Sequence, residues 1–165
     1  MHDVPPSDGG VALPEGFGAW ETGGFAVVLE TDLDKLEQDA FLFSTFDGRC
    51  GVRLRKNRSK LAPVLQFDLP AGGVSLQTRP GLFPAKGTHR AAFVADYASR
   101  TLFVVVDGRL QPGGVRFPPS VRYASRRPAV VPPAVTRMAL YPRPLRVAEV
   151  AELTREEAIA VESHR

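Results

Sequence analysis

The sequence has one cysteine, one tryptophan, three histidines and no long apolar run. Each scarcity excludes something. The lone Cys50 cannot close an internal disulfide or build a cysteine zinc site. As a nucleophile it needs a histidine partner, yet His2 and His164 lie in the termini and only His89 is internal. A buried or merely tolerated thiol is the simpler reading. Histidines so scattered give no basis for a histidine-built metal site. No apolar stretch approaches the roughly 20 residues that span a bilayer, so membrane insertion is not expected. The opening MHDVPPSDGG is polar, without the basic start and apolar stretch of a cleavable signal. That start fits a cytosolic chain or a piece excised from a longer secreted one.

Acids are also missing from one region. None occurs between Asp47 and Asp68. The net charge of +3 therefore hides a segregation. Residues 1–47 carry ten acids against one lysine, residues 48–147 carry eighteen Lys or Arg against three acids, and residues 148–165 carry five acids against two arginines. A basic middle attracts anionic partners, or it is compensated internally by the acidic flanks. If 32–39 folds over 53–60, the basic run is neutralised and is no binding site.

What is abundant is punctuation. Fifteen glycines and fifteen prolines divide short apolar runs, a spacing that predicts many strands and tight turns. Strands are expected at 24–31, 40–46, 51–56, 61–69, 73–78, 89–97 and 134–141. Pro63 belongs at a strand edge or start, because it cannot donate a ladder hydrogen bond. RTLFVVVDGRLQPGG (100–114) is the clearest hairpin, with Asp107-Gly108 as its turn. Five prolines between 117 and 134 make that stretch a loop or irregular edge. Only 145–165 shows helical spacing: Val147, Val150, Ala151 and Leu153 predict a turn or two at 147–153, and Thr154 with Glu157 forms a candidate capping box for a second helix. The length suits one domain with its own core. Strands, turns and one terminal helix predict an all-β fold of two packed antiparallel sheets.

Some stretches carry a family pattern. KGTHRAAFVADYASRTLFVVVDGRL (86–110) resembles a signature of laminin-G-like, concanavalin A-like domains: Gly87, His89, a strand to Val94, a turn at Asp96–Arg100, then a strand closing on Asp-Gly. VTRMALYPRPLRVAEVAEL (135–153) is similar to the family's end, with Tyr141, Leu145 and Glu149 in matching places. Residues 24–55 resemble its early strands. The resemblance covers 24–153 and implies a jelly-roll sandwich within a single domain over 1–165. Residues 1–20 would be an extension or edge segment, and 146–165 a helical tail. It also implies a non-catalytic module that binds glycans or proteins and sometimes calcium. Such modules are often appended to secreted enzymes or adhesion proteins, which implies a secreted or cell-surface location.

Four candidate sites follow. VVLETDLDKLEQD (27–39) holds Glu30, Asp32 and Asp34 at alternating positions, plus Glu37 and Asp39. Retaining β-glucanases of the concanavalin A-like kind carry a Glu-x-Asp-x-(x)-Glu strand, because their chemistry needs two carboxylates about 5–5.5 Å apart. Here no Glu occupies 34 or 35 and Glu37 comes too late. The stretch reads as a strand end plus an acidic loop, and no catalytic residue is assigned. RLRKNRSK (53–60) offers Arg53, Arg55, Lys56, Arg58 and Lys60 in a spacing like that of heparin-binding segments. Guanidinium forks pair well with sulfate or carboxylate oxygens; the plainer reading is a solvated hairpin. No aromatics interleave with this run, so nucleic acid is not the expected partner. Asp47, Asp96 and Asp107 fall at turns, where carboxylates can meet a calcium ion or simply close Asx turns. Trp20 and Tyr123 fall in loops, where aromatics stack on sugars or pack a sandwich rim.

The reading is a non-catalytic recognition or accessory module for carbohydrate, anionic polysaccharide included, acting through loop-presented Arg, Lys and aromatic contacts. No cofactor is required, calcium excepted. Two alternatives stay open: a structural or protein-interaction domain without a glycan site, and a glycan-active enzyme using the carboxylates of 30–37.

Overall fold

β-Branched and aromatic runs cut by glycine and proline do give a nearly all-β chain. The computed structural model describes residues 2–3, 10–46, 51–58, 63–69, 73–81, 84–118 and 127–155. Its strands, in chain order, begin with β1 (His2–Asp3), β2 (Gly24–Asp32), β3 (Phe41–Ser44), β4 (Arg53–Arg58), β5 (Pro63–Leu69) and β6 (Val74–Gln77). They continue with β7 (Thr88–Asp96), β8 (Thr101–Val106), β9 (Arg109–Leu110), β10 (Val115–Arg116) and β11 (Val135–Tyr141), and one helix follows, α1 (Val147–Leu153). Two antiparallel sheets result. The larger has the order β1-β11-β2-β7-β8-β10, with β9 beside β8, and the smaller the order β3-β4-β5-β6. This is the two-sheet jelly-roll sandwich that the sequence predicts. The strands β1 and β10 were not expected, since two residues each carry no alternation to read.

Side-chain alternation builds the core between the sheets. Phe25, Val27 and Leu29 of β2 and Phe93 of β7 face Leu54 of β4 and Phe67 of β5. Phe67 meets Phe25 and Phe93 edge-on, with ring centroids 6.1 and 5.8 Å apart. The N-terminal segment contributes as well: Phe17 is buried against Phe25 and Phe43, and Val11 pairs with Ala129.

β2 and β7 are buried on both faces, which is why their sequences read as continuous apolar runs. Their second face lies under α1. Ala26, Val28, Ala92, Val94 and Val105 pack there with Leu145 and Val150. The helix is fixed at both ends. Glu149 accepts from the Arg146 backbone N–H at 2.7 Å and from the Arg143 guanidinium at 2.9 Å, and these bonds hold its carboxyl below the usual carboxylate range. Thr154 closes the helix: its hydroxyl donates to the Val150 carbonyl at 2.7 Å and accepts from the Gly108 N–H at 2.9 Å. That bond ties α1 to the β8–β9 turn, where Asp107 (φ 48°) and Gly108 (φ 75°) make the positive-φ pair of a tight hairpin. Glu157, the partner proposed for a second helix, lies outside the described residues. Among those described, no helix is long and apolar enough to cross a membrane.

Gly24 starts β2 at φ 139°, and a Cβ there would strike the Ala95 carbonyl across the sheet. Backbone cannot yield as a flexible side chain can. Gly24→Ala is therefore expected to destabilise the fold by about 3 kcal/mol, read as a lowered midpoint in urea unfolding.

Candidate functional site

The pleat of β4 splits the basic run. Side chains alternate along a strand, so Arg53, Arg55 and Asn57 share the outer face of the small sheet while Leu54 enters the core. Lys56 follows Leu54 and reaches across to the acidic loop, donating to the Leu33 carbonyl at 2.8 Å and the Leu36 carbonyl at 3.3 Å. The strands beside β4 extend the polar face. Register aligns Arg53 with Asp68 and Asp68 with Ser75, and aligns Arg55 with Gln66 and Gln66 with Gln77. Two rows of three polar residues thus cross three strands. The sequences behind them, Gln66-Phe67-Asp68 and Ser75-Leu76-Gln77, alternate polar-out and apolar-in.

Gln66 organises this grid. Its side-chain oxygen accepts from Arg55 Nε at 2.9 Å, Asn57 Nδ2 at 3.2 Å and Gln77 Nε2 at 3.2 Å. Its nitrogen donates to Asp68 Oδ1 at 2.8 Å and Ser75 Oγ at 3.2 Å. Asp68 is 4% exposed, and its Oδ2 has no hydrogen-bond partner. That oxygen lies 3.9 Å from both Arg53 NH2 and Arg55 Nε. The carboxylate attracts both guanidiniums but ties up no N–H of either. The two arginine side chains remain 30% and 28% exposed. Arg53 also lies over the Phe46 ring, 4.8 Å from its centroid, a cation–π contact. Phe41, opposite Arg55, and Phe46 are exposed aromatics on the β3 side of the grid. The face offers two guanidiniums for an anion, that of Arg55 held by Gln66, with amides and a hydroxyl for polar groups and an aromatic rim. Asp68 is its one carboxylate among the described residues, whereas glycoside hydrolysis by the two-carboxylate route needs a pair.

The other sequence candidates lie elsewhere. Glu30 is on the outer face of the large sheet, where Oε2 accepts from Arg90 Nε at 3.0 Å and Oε1 from the Thr136 hydroxyl at 2.8 Å. Asp32 accepts from the Asp34 N–H and meets Lys35, while Asp34 accepts from the Gly87 N–H. The acidic loop does meet the basic run, among the described residues through the Lys56 side chain and backbone carbonyls. The counter-ion of Arg53 and Arg55 is Asp68, which the sequence reading passed over. Arg58 ends β4 opposite Pro63. Trp20 stacks on Tyr97 at 5.4 Å and is 48% exposed, at a rim of the large sheet and away from the grid. Asp96 closes a turn by accepting from Ala98 and Ser99, and Asp107 binds His89 and the Arg90 N–H. These two aspartates stand at opposite ends of the β7–β8 hairpin and do not converge. No cluster of three metal-ligating side chains occurs among the described residues. Asp47, Cys50, Lys60 and Tyr123 lie outside them.

No protein-family model and no curated protein matches the chain. Solved structures do. The CBM40 carbohydrate-binding module of the Ruminococcus gnavus IT-sialidase is 16% identical, with a TM-score of 0.62 over 93% of this chain and 97% of that one. The same module has been solved with alpha2,3 sialyllactose bound. Domain 4 of an extracellular arabinanase from Geobacillus stearothermophilus, in complex with arabinotriose, is 16% identical, with a TM-score of 0.58 over 80% of this chain and 66% of that one. A pentraxin from Limulus polyphemus is 9% identical, with a TM-score of 0.55 over 81% and 70%. At these identities the likeness is one of fold.

Proposed function

We propose that this protein is a non-catalytic carbohydrate-recognition module whose ligand is an acidic glycan, held on the outer face of the small sheet. One observation carries the reading: Arg53 and Arg55 stand side by side, Arg55 held by Gln66 and both facing Asp68 at 3.9 Å, with no hydrogen bond from their terminal nitrogens to the described residues. Paired forks of this kind suit a carboxylate. Asn57, Ser75 and Gln77 suit sugar hydroxyls, and Phe41 and Phe46 suit the C–H faces of sugar rings. The fold neighbours support the class, since two of them were solved with sialyllactose and arabinotriose bound. The laminin-G-like, concanavalin A-like resemblance fits the same reading and favours a secreted or cell-surface setting. Calcium has no place in this mechanism. The test is a panel of neutral and acidic oligosaccharides titrated at low and high salt. Acidic members bind, and more weakly as salt rises. Silence across the panel, or equal binding of neutral members, sinks the proposal.

A further inference from the structure

We infer that Asp68 sets the charge of ligand this face accepts, tuning it to one carboxylate rather than to a polyanion. The inference rests on the glycan reading above. At the centre of the face Arg53 and Arg55 contribute two positive charges and Asp68 one negative, while Asn57, Gln66, Ser75 and Gln77 are neutral. Lys56 is turned to the Leu33 and Leu36 carbonyls. Arg79, exposed on the same face, lies two residues beyond Gln77, about 7 Å farther along the strand and outside the two central rows. Among the described residues, one net positive charge remains in the two central rows, the complement of a single anionic group. A sulfated chain, with several charges per disaccharide, finds only one there.

The placement of Asp68 supports a tuning role over a simple ion pair. Its Oδ1 is held by Gln66. Its Oδ2 is buried and stays 3.9 Å from both arginines, beyond hydrogen-bonding distance. It therefore lowers the local potential and holds two like charges together without consuming their donors. The contrast between charged partners then becomes a matter of specificity more than of raw affinity.

The test uses the full chain, with alpha2,3 sialyllactose as the one-carboxylate probe and a heparin hexasaccharide as the polyanion. The wild type prefers sialyllactose. Asp68→Asn keeps the shape and the Gln66 bond but raises the central charge, and it shifts the affinity ratio toward heparin by roughly tenfold. An unchanged ratio, including equal weakening of both probes, overturns the inference and leaves the glycan reading standing. Ser75→Asp is the second variant: exposed and paired with Asp68, it cancels the remaining charge and weakens both probes about tenfold. Wild-type affinities in Ser75→Asp overturn the inference even if Asp68→Asn fails to fold. If the wild type binds neither probe, the inference falls, and the oligosaccharide panel decides whether the glycan reading falls with it.

Discussion

Replacing Arg55 with alanine lowers affinity for acidic oligosaccharides about a hundredfold, roughly 2.7 kcal/mol, and leaves the fold intact. The size of the effect follows from how the side chain is held. Arg55 donates Nε to Gln66, so its terminal nitrogens are pre-aimed and little rotamer freedom is lost on binding. Removing it deletes one arm of the paired fork and leaves Asp68 nearer to neutralising Arg53 outright. Stability changes little, because Gln66 keeps its donors from Asn57 and Gln77. Arg55→Lys is the informative control. Lysine keeps the charge but offers a point donor in place of a planar fork, so it recovers only a small part of the loss. Isothermal titration with both variants decides the matter. A loss below threefold in Arg55→Ala, with the fold retained, removes the small-sheet face as the site.

Glu30→Ala has its large effect on stability instead. Glu30 and Arg90 form an ion pair in which both side chains are about nine-tenths buried, at 3.0 Å. Thr136 takes the second carboxylate oxygen. Deleting Glu30 removes this counter-ion from the buried Arg90 and costs about 3 kcal/mol. The urea midpoint falls accordingly, while glycan affinity of the folded fraction stays at the wild-type value, because Glu30 belongs to the other sheet. A loss under 0.5 kcal/mol would show that the pair contributes nothing to folding (on the order of the noise expected for a neutral surface change). Polysaccharide cleavage that disappears in Glu30→Gln would restore the enzyme reading.

The strand pattern was legible because it is local. Alternation in VRLRKN and VSLQ, the Asp107-Gly108 turn and the helical spacing of 147–153 each act within a few residues, and each appears where expected. The acidic stretch was also readable as a strand end and a loop, since no Glu occupies the third position of the glucanase pattern. Its contact with the basic run was half legible. Proximity was foreseeable from charge, but not that Lys56 makes the contact through the carbonyls of Leu33 and Leu36. Within the basic run, contiguity in sequence is not contiguity on a strand. The pleat sends neighbours to opposite faces, so Arg55 and Lys56 serve different ends.

By itself the sequence determined the class of fold, the position of most strands, and the presence of guanidinium groups in an acid-free stretch. Only the tertiary structure decided what surrounds them. Asp68, Gln66, Ser75 and Gln77 reach Arg53 and Arg55 through the β4–β5 and β5–β6 registers. Those registers are fixed by burying Leu54, Phe67 and Leu76 in one core, because a slip of one residue would turn every apolar side chain outward.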